Sequence, residues 1–345
     1  MQLLPLYMHL FFLGICGFII SFITVPLFIK LAYRLRVLDI PDGALKRHKN
    51  PTPYLGGCAI FIGAWAPLFF MGSLHPLLYG IGGGCAILLV LGLVDDIYRI
   101  APYQKFLGQA GVAAWLVLYG VCYKTTLCAS PSVTYLFSWL WLATVMNAFN
   151  LLDIMDGLAT AAALGVSLQL LYISIITHNV PVASVLSCFI GSLFAFLRYN
   201  YPPARVYMGD AGSLFIGGFL GALSLCIPWH AEDSLSNILV LCVIFSLPLT
   251  ELGGLIIIRT LRGIPFYLGS PDHFAIILQQ KGYKRGGIIA YTVATSMFFL
   301  ILCHFFFSNR ITIIPFMISV FLVLAPLLFL IAHNSFSILH QIYQK

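Results

Sequence analysis

Residues 135–157 read YLFSWLWLATVMNAFNLLDIMDG. The first seventeen, Tyr135 to Leu151, are apolar enough to lie in a bilayer. The last turns carry Asn147, Asn150, Asp153 and Asp156, followed by Gly157. At about 100° per residue, positions three apart drift slowly round a helix, so Asn147, Asn150 and Asp153 fall within about 120° of one another. A carboxylate at the centre of a membrane helix costs about 2.5–3.5 kcal/mol on insertion scales. The stretch therefore reads as a membrane helix whose end presents a ladder of oxygen-bearing side chains. Such a ladder suits Mg²⁺, phosphate-bound water or a nucleoside. The plainer alternative is a polar stripe in a seam between helices.

The rest of the chain has the same character. Of 345 residues, 61% are hydrophobic and 8% charged, with a mean hydropathy of +0.99. Soluble domains carry about 25% charged residues, so the chain is predicted to be all-α and polytopic. Apolar runs of about 20 residues place eleven spans near 9–32, 55–72, 77–94, 106–122, 135–151, 158–177, 181–198, 212–228, 237–258, 288–307 and 312–332. The first lacks a basic leader and a small-residue cleavage site, which predicts a retained span. With the N-terminus outside and the C-terminus cytoplasmic, sixteen of the eighteen Lys and Arg residues lie inside, leaving Lys124 and Arg310 outside. That bias is the positive-inside pattern. Residues 1–345 thus form a single membrane domain, with polar cytoplasmic loops near 33–54, 95–105, 147–157, 199–213 and 259–287. The net charge of +7 becomes a cytoplasmic skirt suited to anionic headgroups and phosphorylated substrates. Nothing in the pattern suggests nucleic acid.

Nine of the eleven acidic residues sit beside predicted inner ends of spans. Asp95 and Asp96 end the third; adjacent acids repel, so they require a metal, a basic partner or water, and Arg99 and Lys105 are near in sequence. Tyr207-Met208-Gly209-Asp210-Ala211-Gly212-Ser213 opens the eighth, where glycines let other groups approach Asp210 and where Asp210 also suits an N-cap. Asn200 precedes it in the same loop. His48 lies in a basic loop with fixed prolines, Lys46-Arg47-His48-Lys49-Asn50-Pro51-Thr52-Pro53. Ser270-Pro271-Asp272-His273 reads as a helix start with Ser270 as cap, opening a short amphipathic surface helix that presents His273 to phosphate. Glu251 is expected to pair with Arg259 or Arg262. Gly82-Gly83-Gly84 lies inside a span with no strand before it, which means helix packing rather than a nucleotide loop. The nine cysteines include no C-x-x-C pair, so a zinc site has no support.

Four motifs taken together, His48–Gly57 (H-x-x-P-T-P-x-x-G-G), Asp95-Asp96, Asn147–Gly157 and Met208–Ser213, resemble the polyprenyl-phosphate N-acetylhexosamine-1-phosphate transferase family over about residues 10–335. The resemblance implies ten or eleven spans and transfer of a sugar-1-phosphate from a UDP-sugar to an isoprenoid phosphate, with release of UMP. It implies Asn150 and Asp210 as Mg²⁺ ligands, with Mn²⁺ as the alternative ion. Asp95 and Asp96 fall at the pyrophosphate and acceptor phosphate, with Asp153 in the same catalytic group. Lys105 would contact phosphate. Asp156, Asn200 and Tyr207 would form the uridine pocket, and His48, Asn147, Arg262 and His273 complete the substrate-binding set. Relatives usually carry two or three histidines where this chain has only Asp272-His273-Phe274-Ala275. The 48–57 loop and the missing triplet lean toward N-acetylglucosamine-1-phosphate, with phospho-N-acetylmuramoyl-pentapeptide transfer as the alternative. The expected setting is a bacterial inner membrane, with undecaprenyl phosphate as acceptor and the active site cytoplasmic. A second copy of the chain is the protein partner considered. The competing class is a transporter, whose site would lie near the bilayer midplane on repeat-related broken helices; here the acids lie at helix ends.

Overall fold

The computed structural model describes residues 3–40, 51–72, 75–123, 130–229, 234–265 and 267–343. Thirteen helices are seen among them: α1 (Leu3–Leu35), α2 (Gly56–Met71), α3 (Pro76–Tyr98), α4 (Pro102–Leu118), α5 (Pro131–Leu152), α6 (Leu158–Ile176), α7 (Val180–Asn200), α8 (Gly209–Cys226), α9 (Ser234–Ile244), α10 (Ser246–Leu261), α11 (Phe274–Gln280), α12 (Arg285–Phe307) and α13 (Ile313–Tyr343). Two short strands, β1 (Leu38–Asp39) and β2 (Thr52–Pro53), pair antiparallel with Leu38 opposite Pro53 and Asp39 opposite Thr52.

Every stretch assigned to a span is helical, but the spans are not all alike. Among the described residues eight single helices are long and apolar enough to cross a bilayer. The pair Leu235–Ile244 and Ser246–Leu261 passes the same test together but is bent by 82°, as in a broken span or a re-entrant loop. Hydropathy and length read 237–258 as one span; Pro248, four residues after Ile244, removes the N–H that would continue the helix there. The other two predicted spans are the 16-residue α2 and the 17-residue α4, short of the about 20 residues that a perpendicular crossing takes.

α8 is the hub. Its run GDAGSLFIGGFLGALSLC is buried almost throughout, against α3, α5 and α2. Small residues let membrane helices approach closely. At Gly92 on α3, a Cβ would collide with the main chain of Asp210 and Ala211. This crossing brings the end of α3 against the start of α8 and so positions two of the acidic motifs. On the far side of the bundle, α1 packs on α7 and α2. The hairpin following α1 is tied back by main-chain bonds, Tyr207 N to Pro53 O at 2.8 Å and Gly56 N to Tyr207 O at 3.1 Å.

Candidate active site

Three tight turns set the site. The first joins α3 to α4. Arg99 caps α3 in the left-handed region at φ 51°, Ile100 N–H donates to Asp95 Oδ1 at 3.0 Å, and Ala101 N–H donates to Gln104 Oε1 at 3.0 Å. Pro102 then opens α4, where its missing N–H costs nothing, and Lys105 points back across the turn. The second follows α5, which ends at Leu152, so the ladder of the sequence reading breaks there. Asp153 to Gly157 form a turn, closed by Gly157 at φ 75°. The third opens α8. Gly209 has φ 71°, and a Cβ on it would meet Asp96 Oδ2 at 2.5 Å, so both conformation and space require glycine.

These turns bring four predicted residues together. Lys105 Nζ lies 2.8 Å from Asp95 Oδ2 and 2.9 Å from Asp210 Oδ2. Asn150 Nδ2 donates to Asp210 Oδ1 at 2.5 Å and to Ser213 Oγ at 2.9 Å. Asp210 remains 34% exposed at its side chain, against 11% for Asp95, and is the more open of the two carboxylates on Lys105. Asp96 serves differently. Its Oδ1 accepts the Asp210 N–H at 2.9 Å and its Oδ2 the Ala211 N–H at 3.2 Å, so it caps α8 and meets the positive end of the helix dipole. Asp153 makes no hydrogen bond or ion pair among the described residues. Burial holds its carboxyl well above the usual carboxylate range, and the charges of Asp210, Asp96 and Asp156 add to the effect.

The remaining predicted residues are placed around this cluster as supports. Asn147 Nδ2 donates to Gln109 Oε1 at 2.6 Å, across the α4–α5 seam, as the plainer sequence reading has it. Asn200 is 2% exposed. Its Oδ1 accepts from Gly157 N and Thr160 Oγ1, both at 3.0 Å, and its Nδ2 donates to Val206 O at 2.9 Å. It therefore staples two loops together. Asp156 Oδ2 accepts from Arg285 Nη1 at 2.9 Å and from Ala204 N at 3.2 Å. The Tyr207 ring lies against Tyr54, with centroids 6.1 Å apart, and burial raises both phenols.

The last loop departs most from expectation. Its helix begins at Phe274 with His273 as the cap, three residues later than Ser270. Glu251 pairs with neither arginine: its Oε1 is 2.6 Å from His273 Nδ1, and its Oε2 accepts from Phe274 N at 3.2 Å. His273 is 5% exposed and locks the loop onto α10 through Glu251. Arg262 Nη1 is taken by Asp272, at 2.9 and 3.0 Å from its two oxygens. His48 lies outside the described residues. Sequence reasoning missed Gln109 and Arg285 as partners. Gln109 stands one helical turn after Lys105, which was a usable signal; Arg285 stood in a run of basic residues with nothing to mark it.

The donor set fits a hard divalent cation. Asp95 and Asp210 share the Lys105 ammonium, Asp96 lies within reach of its charge, and the donors are oxygens throughout. Among the described residues no group of three or more His, Cys, Asp or Glu is placed to cage a metal ion. Mg²⁺ seldom uses such a cage, binding through one or two carboxylates plus substrate phosphates.

Residues 78–227, which hold all four of the clustered side chains, match glycosyl transferase family 4. The chain is 30% identical over 298 residues to the "Probable undecaprenyl-phosphate N-acetylglucosaminyl 1-phosphate transferase" of Bacillus subtilis (strain 168), covering 81% of each chain. It is 27% identical to the decaprenyl-phosphate N-acetylglucosaminephosphotransferase of Mycobacterium tuberculosis (strain ATCC 25618 / H37Rv), covering 83% of this chain and 82% of that one. It is 32% identical to the phospho-N-acetylmuramoyl-pentapeptide-transferase of Latilactobacillus sakei subsp. sakei (strain 23K), covering 64% and 75%. The protein is thus a multi-pass membrane enzyme that transfers a sugar phosphate. It belongs to the polyprenyl-phosphate N-acetylhexosamine-1-phosphate transferases of glycosyl transferase family 4.

Proposed function

We propose that the enzyme transfers N-acetylglucosamine-1-phosphate from UDP-N-acetylglucosamine to undecaprenyl phosphate, releasing UMP at the cytoplasmic face of a bacterial inner membrane. The observation that carries this reading is the convergence of Asp95, Lys105, Asn150 and Asp210 at the Lys- and Arg-rich end of an apolar bundle. A soluble donor and a membrane-borne acceptor can meet only at such a boundary. Two anions must approach each other there, and a nearby cationic group lowers that barrier.

Mg²⁺, held by Asp210 and the Asn150 amide oxygen, would neutralise the donor diphosphate and stabilise charge on the departing UMP. Asp96 fixes the start of α8 and thereby aims Asp210. Lys105 sits between two carboxylates and keeps its charge beside the place where phosphates bind. Asp95 orients Lys105 and the α3–α4 turn. A phosphate monoester has a second pKa of about 6, so the acceptor arrives largely ionised and asks little of a general base. We favour direct in-line attack over a route through a phospho-aspartate for that reason. The longer and more even coverage of the two N-acetylglucosamine enzymes supports the choice of sugar.

The test is UMP release by the full chain from a panel of UDP-sugars, with undecaprenyl phosphate and Mg²⁺, beside Asp210→Asn. Release from UDP-N-acetylglucosamine alone, dependent on acceptor and metal and lost in the variant, is expected. Release only from UDP-N-acetylmuramoyl-pentapeptide would overturn the choice of donor. Release that persists without the lipid would overturn the transfer itself.

A further inference from the structure

Away from the acids, α1, α6 and α7 enclose an apolar groove of about 840 Å³. That lies within the about 300–1,000 Å³ usual for ligand pockets. Along α1 it runs from Tyr7 to Phe22. At 1.5 Å per residue this is roughly 22 Å of helix, most of a hydrocarbon core about 30 Å thick. Its wall is apolar but for Ser187 and, at one end, Arg198. A second hollow shares Phe194 and Arg198 and continues to Leu197 and Tyr201.

The charged end is the same end as the catalytic cluster, because the last residue of α7, Asn200, bonds to Gly157. Arg198 is exposed and makes no ion pair among the described residues. Its main chain stands near that of Arg205, whose N–H donates to Tyr199 O at 2.8 Å. Two kinds of occupant could cover such a groove, and charge separates them. No described Asp or Glu is exposed, so a second copy would bring no described surface acid to Arg198. An anionic phospholipid would bring a phosphate at headgroup depth and acyl chains for the wall below.

We propose that the α1–α6–α7 groove is a binding site for one anionic diacyl phospholipid, whose phosphate pairs with Arg198. Basic residues at a membrane surface attract anionic headgroups by about 1 kcal/mol each, or roughly fivefold in affinity. The site is separate from the catalytic cluster, which the lipid does not touch.

The test is native mass spectrometry of the full chain in mild detergent, titrated with phosphatidylglycerol or phosphatidylethanolamine. Four variants accompany it: Arg198→Gln, Arg198→Lys, Ile15→Trp to fill the lipid-facing wall, and Arg34→Gln as a control at another exposed basic residue. One tightly held phosphatidylglycerol is expected, weakened about fivefold by Arg198→Gln, retained by Arg198→Lys and Arg34→Gln, and lost with either lipid in Ile15→Trp. Equal binding in wild type and Arg198→Gln would overturn the proposal, as would equal losses in Arg34→Gln, the mark of annular lipid only. So would Ile15→Trp changing the oligomeric state while leaving lipid binding intact, or undecaprenyl phosphate taking the place with no binding of phosphatidylglycerol.

Discussion

Asp96→Asn separates chemistry from architecture at the acidic pair. In the structure both oxygens of Asp96 accept main-chain N–H groups at the start of α8, at 2.9 and 3.2 Å. Asparagine keeps one acceptor and turns an NH₂ toward the other donor. Loss of a cap costs about 0.5–2 kcal/mol, and loss of the charge–dipole attraction a further about 0.3–1 kcal/mol at exposed ends. The change should therefore destabilise the protein by about 1–3 kcal/mol and shift Asp210, because Asp210 N is one of the two capped groups. Thermal unfolding of the purified enzyme should fall by several degrees, and UMP release should fall with it, recovering in part at lower temperature. Asp95→Asn is the comparison, since Asp95 holds Lys105 rather than a helix start. An Asp96→Asn enzyme that unfolds like wild type yet has lost its activity would refute the capping argument. Asp96 would then have to touch the reacting groups.

Four further outcomes follow from the same geometry. Lys105→Met leaves Asp95 and Asp210 without their shared cation; at about 4 Å and an effective dielectric of 20, two carboxylates repel by about 4 kcal/mol, and turnover should drop about 10²–10³-fold, with near wild-type rates refuting the role. Asp153 carries an acid raised on folding, so its stabilising share is complete below the unfolded carboxylate value of about 3.9 and is lost as pH climbs through the raised value. Asp153→Asn should remove that slope, so wild type loses stability relative to the variant as pH rises, and parallel unfolding profiles would refute it. Glu251→Gln weakens a buried pair whose rupture costs about 3–5 kcal/mol; it should lower the unfolding temperature more than His273→Gln lowers substrate affinity, and a pure KM effect in either variant would return His273 to the substrate. Gly209→Ala forces a side chain into the left-handed region and against Asp96 Oδ2, and should yield little folded protein; a stable, active variant would refute the fit.

The helices were legible because hydropathy and length decide them locally. So was the gathering of acids at one end, since a carboxylate is too costly in lipid to lie elsewhere. What the sequence could not assign was the partner of each polar group. Asp95 and Asp96 are neighbours with the same side chain, yet one holds Lys105 and the other a helix start 114 residues away. The choice is made by rotation about α3, where Gly92 lets α8 approach. Glu251 lay nearer in sequence to two arginines than to His273, but Arg262 is claimed by Asp272 and the break before α10 turns Glu251 toward the start of α11. The 82° bend has a local signal in Pro248, which lacks the N–H that would bond Ile244 C=O and whose ring clashes with that carbonyl, where α9 ends; a reading of hydropathy and length alone passes over it.

The division between clustered and supporting residues bears on how the enzyme distinguishes its substrates. The clustered quartet is drawn from α3, α4, α5 and α8, whose ends are bound to one another by main-chain caps and charge pairs. Asp156 and Met155 instead link the α5–α6 turn to the segment after α10, through Arg285 Nη1 to Asp156 at 2.9 Å and Gln279 Nε2 to Met155 Sδ at 3.3 Å, while Glu251 and His273 hold that segment to α10. On the proposed reading, an error in the quartet changes the charge beside the phosphates and should appear in turnover. An error in the linkage leaves that charge in place and should appear first in the choice or affinity of the substrate. This loop holds only one histidine, and that one is buried against Glu251, so on the proposed reading a substrate here meets no exposed histidine triplet.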